Sequence, residues 1–297
     1  MSKYLILVQD NNNYFFPYVQ DENIDICTAY KKGFIYRIIK KIPFLSRIAY
    51  TDWTNKIDKY SKVIVFDSIF NLPLAYYLKR SKIDTYIYSW NSAISSSQKR
   101  LLKKAKKYFP TYSFDKKDCK AYSLKYAPMV YSKDAVVRGK DKEIYDVVFV
   151  GKDKGRVDLL FEIYSRFTSI GLRCKFLVLG DEQEKYVGAG FEFIDKYLSY
   201  SENSSLIRKS KAVLDIQQRG QEGLTLRVVE TMFFNKKIIT NKQDIDSYDF
   251  FDNNNVLILK EDTSAGEILD FINSDYSSIP SHIIDKYDIS NWIDYFA

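Results

Sequence analysis

Apolar residues come in short bursts along this chain, each about the length of a buried strand. Residues 4–8, 62–66, 85–88 and 111–114 form such runs in the first half, and 146–150, 175–179, 191–194, 212–216, 237–240 and 256–259 in the second. Four or five residues are too few for a helix, and helix-compatible stretches such as 157–167 lie between most of the runs. Buried strands alternating with helices predict an α/β chain with parallel, doubly wound sheets.

The pattern runs twice. With 297 residues the chain has about twice the usual single-domain length, so two domains are expected. The charged stretch within 132–144, after Pro128 and before a fresh buried strand, marks the hinge. This gives an N-terminal domain at 1–140, a C-terminal domain at 141–285 and a terminal segment at 286–297. Residues 287–293 read as a short capped helix, packing either back on the N-terminal domain or on its own. No run approaches a bilayer span, and residues 3–8 enter a strand with no secretory signal pattern, so a cytoplasmic protein is expected.

Charge is unevenly spread. Residues 1–140 hold 26 Lys and Arg against 11 Asp and Glu, whereas 141–297 hold 19 against 27, so the net +7 hides a basic half and an acidic half. The basic half is expected to face something anionic. Nucleic acid is possible on charge, but no nucleic-acid-reading module is present, and no such partner is expected. Residues 31–45 mix Lys31, Lys32, Arg37, Lys40 and Lys41 with Phe34, Ile35, Ile38 and Phe44, and 99–107 is a second basic stretch. Each fits either an anionic membrane surface or a core helix with a solvated lysine face. Cys27, Cys119 and Cys174 form no metal-ligand spacing, and the single histidine, His282, leaves little for hydrolase triads.

Candidate chemistry lies in strand-end loops. The segment from Gln217 to Met232 follows the run 212–216 and opens a helix, aiming backbone N–H groups and the positive dipole end at the strand's carboxyl end, where a pyrophosphate binds well. Helical spacing puts Gly223, Arg227 and Glu230 on one face and Leu224, Val228 and Met232 on another. Gly151, Lys154, Gly155 and Arg156 form a second loop, either a diphosphate cradle or a basic surface turn. Beyond the run 191–194, Tyr197 either stacks on a nucleobase or packs against its own domain. Asp244 and Asp246 form an Asp-x-Asp, read as a helix or turn cap ahead of a metal site. In the first half, Asp10, Asn11, Asn12, Asn13 and Tyr14 follow strand one, and Trp90 and Asn91 follow the run 85–88. These are expected on the acceptor side, with Asp10 either a general base or a turn cap.

Glu222 and Glu230, with seven residues between them across the loop–helix junction, resemble the Glu-x7-Glu signature of retaining GT-B glycosyltransferases; alone, such a pair also suits a solvated helix face. The string Gln221-x-Gly223-Leu224-Thr225-x-Arg227-x-x-Glu230, followed by Lys236-Lys237-Ile238-Ile239-Thr240, is similar to transferases of lipopolysaccharide and capsule synthesis. The resemblance implies two Rossmann-like doubly wound domains facing a central cleft. It also implies a nucleotide-sugar donor, here expected to be a UDP-sugar, and a glycan acceptor on a lipid carrier at the inner face of the plasma membrane. By the same resemblance Glu222 approaches the donor sugar, Glu230 accepts hydrogen bonds from the ribose, and Gln221, Thr225 and Arg227 line the donor. Lys154, Arg156 and the helix start at Gly223 are expected to meet the leaving-group charge without a metal or other cofactor. An epimerase on the same fold and a non-catalytic assembly scaffold are the alternatives.

Overall fold

The computed structural model describes residues 3–9, 14–136, 141–181, 183–186, 188–218 and 220–296. The chain divides into two compact units. The first comprises Met1–Ala135, Gly220–Leu224 and Lys286–Ala297, and the second Val136–Arg219 and Thr225–Asp285.

The first unit carries strands β1 (Tyr4–Val8), β2 (Ile24–Thr28), β3 (Lys62–Phe66), β4 (Asp84–Ser89), β5 (Thr111–Ser113) and β6 (Lys125–Tyr126). Its helices are α1 (Phe34–Ile39), α2 (Leu72–Ser81), α3 (Ser96–Ala105) and α4 (Lys116–Tyr122). All strands are parallel, in the order β2-β1-β3-β4-β5-β6. Leu7 is opposite both Cys27 and Val65, so β1 is central and the chain changes direction across the sheet between β1 and β3. Helix starts follow local chemistry. Asn71 Oδ1 accepts the Leu74 N–H at 2.9 Å to cap α2, and Ser95 with Gln98 forms a capping box on α3.

Alternation along the strands sorts the core. Leu5, Leu7, Val63, Val65 and Ile87 pack with Leu74, Leu78 and Trp53 in one cluster. Residues of the opposite parity, Tyr88 and Tyr112, meet Trp292 and Phe296, with ring centroids 4.8 Å apart for Tyr88–Trp292 and 4.6 Å for Tyr112–Phe296. The terminal segment with its short helix at Ile289–Trp292 thus forms part of the first unit's core. It is tied there by Tyr131 N–H to Tyr287 O, Ile289 N–H to Tyr131 O and Trp292 Nε1–H to Pro128 O, each at 2.8 Å.

The second unit carries β7 (Tyr145–Lys152), β8 (Cys174–Leu179), β9 (Phe191–Ile194), β10 (Ser210–Asp215), β11 (Lys237–Thr240) and β12 (Val256–Ile258). Its main helices are α5 (Val157–Ser169), α6 (Tyr200–Arg208), α7 (Leu226–Phe233) and α8 (Ala265–Asn273). The order β12-β11-β10-β7-β8-β9 is again all parallel, with the change of direction between β7 and β10. Val147, Phe149, Phe176, Val178, Leu214 and Ile239 pack with α5 and α8. Val228, Val229 and Met232 of α7 are buried as well, and α7 lies on β10 and β11.

The expected pair of parallel doubly wound sheets is present. Two strands went unforeseen: β2, where Asp25 interrupts the apolar run, and β6, which has two residues. One local expectation needs correction. Thr225 is the N-cap of α7, its Oγ1 accepting the Val228 N–H at 3.3 Å, so Gly223 precedes the helix and shares no face with Arg227 and Glu230.

Candidate functional site

In open α/β sheets ligands bind at the strands' carboxyl ends, where the winding reverses. In the second unit that point lies between the ends of β7 and β10, and the charged side chains there converge. Arg156 follows β7, and its guanidinium donates to Ile216 O, just past β10, and to Lys152 O at 3.1 Å. Arg227, in the first turn of α7, donates through Nη2 to Val150 O at 2.6 Å. Asp215, the last residue of β10, lies between them in charge terms: burial raises its pKa, while Arg227, the Thr225 hydroxyl, Arg156 and Thr240 oppose the rise. Lys154 donates to Gln218 Oε1 at 3.0 Å, and burial together with Arg156 and Lys152 lowers its pKa.

Three cations therefore surround one carboxylate, leaving the cluster positive. Arg156 Nε and Arg227 Nη1 are buried and have no hydrogen-bond partner. Buried N–H groups are rarely left unpaired, because each costs about 1–3 kcal/mol, more when charged. Unpaired donors on two guanidiniums are what a phosphate or diphosphate would complete.

The backbone supports this arrangement. Lys154 and Gly155 both have positive φ, +53° and +73°, which turns the chain back after β7. Asp153 Oδ1 then accepts the N–H groups of Arg156 at 2.9 Å and Val157 at 2.8 Å, filling the start of α5 with a carboxylate. The start of α7 is capped only by the neutral Thr225. A side chain at Gly151 would put its Cβ 3.0 Å from Phe149 Cζ and 3.3 Å from Arg156 Nη2. Glycine there leaves the guanidinium its place.

Beside this cluster, Lys152, Leu179, Gly180, Asp181, Phe193, Ile194, Asp195 and Tyr197 line an open cavity of about 570 Å³ at the ends of β7, β8 and β9. The Tyr197 ring is 61% exposed, and Lys152 Nζ sits 5.8 Å from its centroid. Tyr197 is thus an exposed flat side chain rather than part of the core.

The structure brings together Gly151, Lys154, Gly155, Arg156, Thr225 and Arg227. Glu230, Gln221, Glu222 and Gly223 each have contacts of their own. Glu230 is buried, and Asn203 Nδ2 of α6 donates to both its carboxylate oxygens at 3.3 Å. Gln221, Glu222, Gly223 and Leu224 belong to the first unit. Glu222 Oε1 pairs with Lys117 Nζ at 2.8 Å, its N–H donates to Asp115, and Gly223 lies so close to Phe114 that an added Cβ would be 2.6 Å from the ring. Gln221 Nε2 donates to Gly223 O at 3.3 Å.

In the first unit the reversal point lies between β1 and β3. Asp10, Asn11, Asn12 and Asn13 fall outside the described residues. Tyr14 and Trp90 are in edge-to-face contact at 5.9 Å, and Trp90 lies 5.1 Å from Phe66 at the end of β3. Buried at the same strand end is Asp67, the residue directly after β3. Asn91 Nδ2 is 3.4 Å from each of its oxygens. Ser89 Oγ is 3.3 Å from Oδ2, but its single proton is also drawn to Asn91 O at 2.9 Å. Burial pushes the Asp67 carboxyl up to about 6, against the weaker pull of Asn91, the Trp90 and Ser68 N–H groups and Ser89.

Asp67 and Asp215 were both missed from the sequence. Their shared signal is an aspartate closing an apolar strand run. It could not be weighted while β2 was unseen, because the reversal point between β1 and β3 was then undefined.

No protein-family model matches the chain, and a search of curated proteins finds no relative. Solved structures do match. Anabaena HepE in complex with UDP and glucose aligns over 99% of this chain and 98% of its own, with 10% identity and a TM-score of 0.62. The same protein with UDP-glucose aligns over 100% and 98%, again at 10% identity and 0.62. The fold is GT-B. In GT-B terms, the Arg156–Arg227 cluster and the Tyr197 cavity lie at the strand ends of the C-terminal Rossmann-like unit, and Asp67 at those of the N-terminal one.

Proposed function

We propose that this GT-B chain is a glycosyltransferase that takes a UDP-sugar at its second unit and passes the sugar to a hydroxyl of a glycan acceptor. The observation that carries the reading is the pair of half-buried guanidiniums, Arg156 and Arg227, each with one buried N–H that has no protein partner, at the ends of β7 and β10. Such a group supplies fixed positive charge where a diphosphate leaves, without reorganising during the reaction. The open cavity with the exposed Tyr197 ring suits the uracil and ribose. HepE, of like fold, is seen with UDP and with UDP-glucose, which supports the choice of donor.

The chemistry follows from these groups. The acceptor oxygen forms a bond to C1 of the donor sugar as the bond from C1 to the phosphate oxygen breaks, and the electron pair leaves on UDP. Arg156, Arg227 and Lys154 stabilise that charge. The acceptor proton needs a base, and Asp67, with its carboxyl pushed up to about 6, is the first unit's candidate for a base working near neutrality. One displacement inverts the anomeric centre. The Glu-x7-Glu resemblance implies retention instead, and Glu222 is in an exposed ion pair with Lys117.

Isothermal calorimetry with UDP, GDP, CMP and ADP tests the donor site, and NMR of the product from a UDP-sugar tests the outcome at C1. UDP-selective binding and an inverted product are expected. Failure of every nucleotide to bind would sink the transferase reading and leave a non-catalytic scaffold.

A further inference from the structure

One surface of the first unit takes no part in this chemistry. Helix α1 has no buried residue, although it belongs to a folded unit. Phe34, Ile35 and Ile38 on it, with Phe44 and Ile48 after it, are between 50% and 84% exposed. Six residues are too few for a helix that holds itself in water. Its inner side, Tyr36 and Ile39, rests on the unit's core, and the segment is closed at its base by Lys31 N–H to Ala49 O at 2.8 Å. The apolar side chains are therefore held outward by a fixed scaffold.

Charge decides what covers them. Between residues 31 and 49 there are six basic side chains and no acidic one. Lys40 and Lys41 follow α1 directly, and burial together with the neighbouring cations Lys41 and Arg37 lowers the Lys40 pKa. A second copy of this face would set six cations against six. An anionic bilayer offers the complement to both features, phosphate for the cations and acyl chain for the rings.

We propose that residues 34–48 dock on an anionic phospholipid bilayer, with Phe34, Ile35, Ile38, Phe44 and Ile48 entering the headgroup–acyl boundary. This surface stands apart from the transferase reading and does not depend on it.

The test is co-sedimentation of the full chain with vesicles of phosphatidylcholine alone and of phosphatidylcholine mixed with phosphatidylglycerol, without any donor. Binding is expected to the mixed vesicles only and to weaken with salt. Phe34→Ser and Phe44→Ser should each weaken it about tenfold, and Arg37→Gln and Lys41→Gln about fivefold each. Melting curves matching wild type show that the variants fold. Variants that sediment like wild type overturn the proposal, as does equal binding to neutral vesicles. So does a concentration-dependent dimer that Phe44→Ser dissolves, which would assign the face to a second copy. Loss of vesicle binding leaves UDP binding untouched, so the two readings fail separately.

Discussion

Replacing Asp67 by Asn separates a working carboxylate from a structural one. The carboxyl is buried and rises from 3.8 to about 6, chiefly through desolvation. At about 1.36 kcal/mol per pH unit, that rise means the ionised form costs the native state about 3 kcal/mol above pH 6. The sign follows from proton counting. Between pH 3.8 and 6 the native state holds the proton more tightly than the unfolded chain, so this contribution to stability falls as pH rises through the window. Asparagine keeps the shape and removes the charge. Asp67→Asn is therefore expected to raise stability at pH 7, by up to about 3 kcal/mol, and to flatten the pH dependence of unfolding between 4 and 6. Transfer to the acceptor should fall by about a hundredfold or more, with UDP affinity unchanged. Urea unfolding at several pH values, beside a UDP-release assay, gives both readouts. A variant that is less stable than wild type at pH 7, or that keeps full activity, would refute the reasoning and make Asp67 a structural acceptor for Asn91 and Ser89.

Three further outcomes can be checked. Arg227→Met removes a charged donor, worth about 1.5–3 kcal/mol, and should weaken UDP binding roughly ten- to hundredfold by calorimetry. Gly151→Val pushes on Phe149 Cζ and Arg156 Nη2, so the melting temperature and UDP affinity should both drop; unchanged affinity would mean that Arg156 does not touch the donor. Trp292 is fully buried and bonded to Pro128 O, and Trp292→Ala should cost about 3–5 kcal/mol in denaturant unfolding.

The sheets were readable because buried parallel strands leave an unmistakable mark, as at 237–240 and 62–66, where the apolar run and the strand coincide. The loops after β7 and β10 could be placed for the same reason, and Arg156, Lys154 and Arg227 lie in or beside them. What the residues do there was less legible. Glu230 sits at helical spacing suited to ligand contact, yet Asn203, 27 residues away, turns its carboxylate inward. Gly223 looked like a helix start, but Thr225 offers the better cap. Asp67 gains its raised pKa from burial at the end of β3, and no local pattern announces such burial.

The first unit draws residues 286–296 into its core, so the second unit, interrupted only by 220–224, is an insertion within the first unit's chain. During translation β1 to β6 emerge early but leave Tyr88 and Tyr112 uncovered until about 150 further residues have been made. The second unit can meanwhile close on its own sequence. The amino-terminal half of this protein is therefore the last to finish folding, and it is the half in which a nascent chain exposes sticky aromatic surface to chaperones.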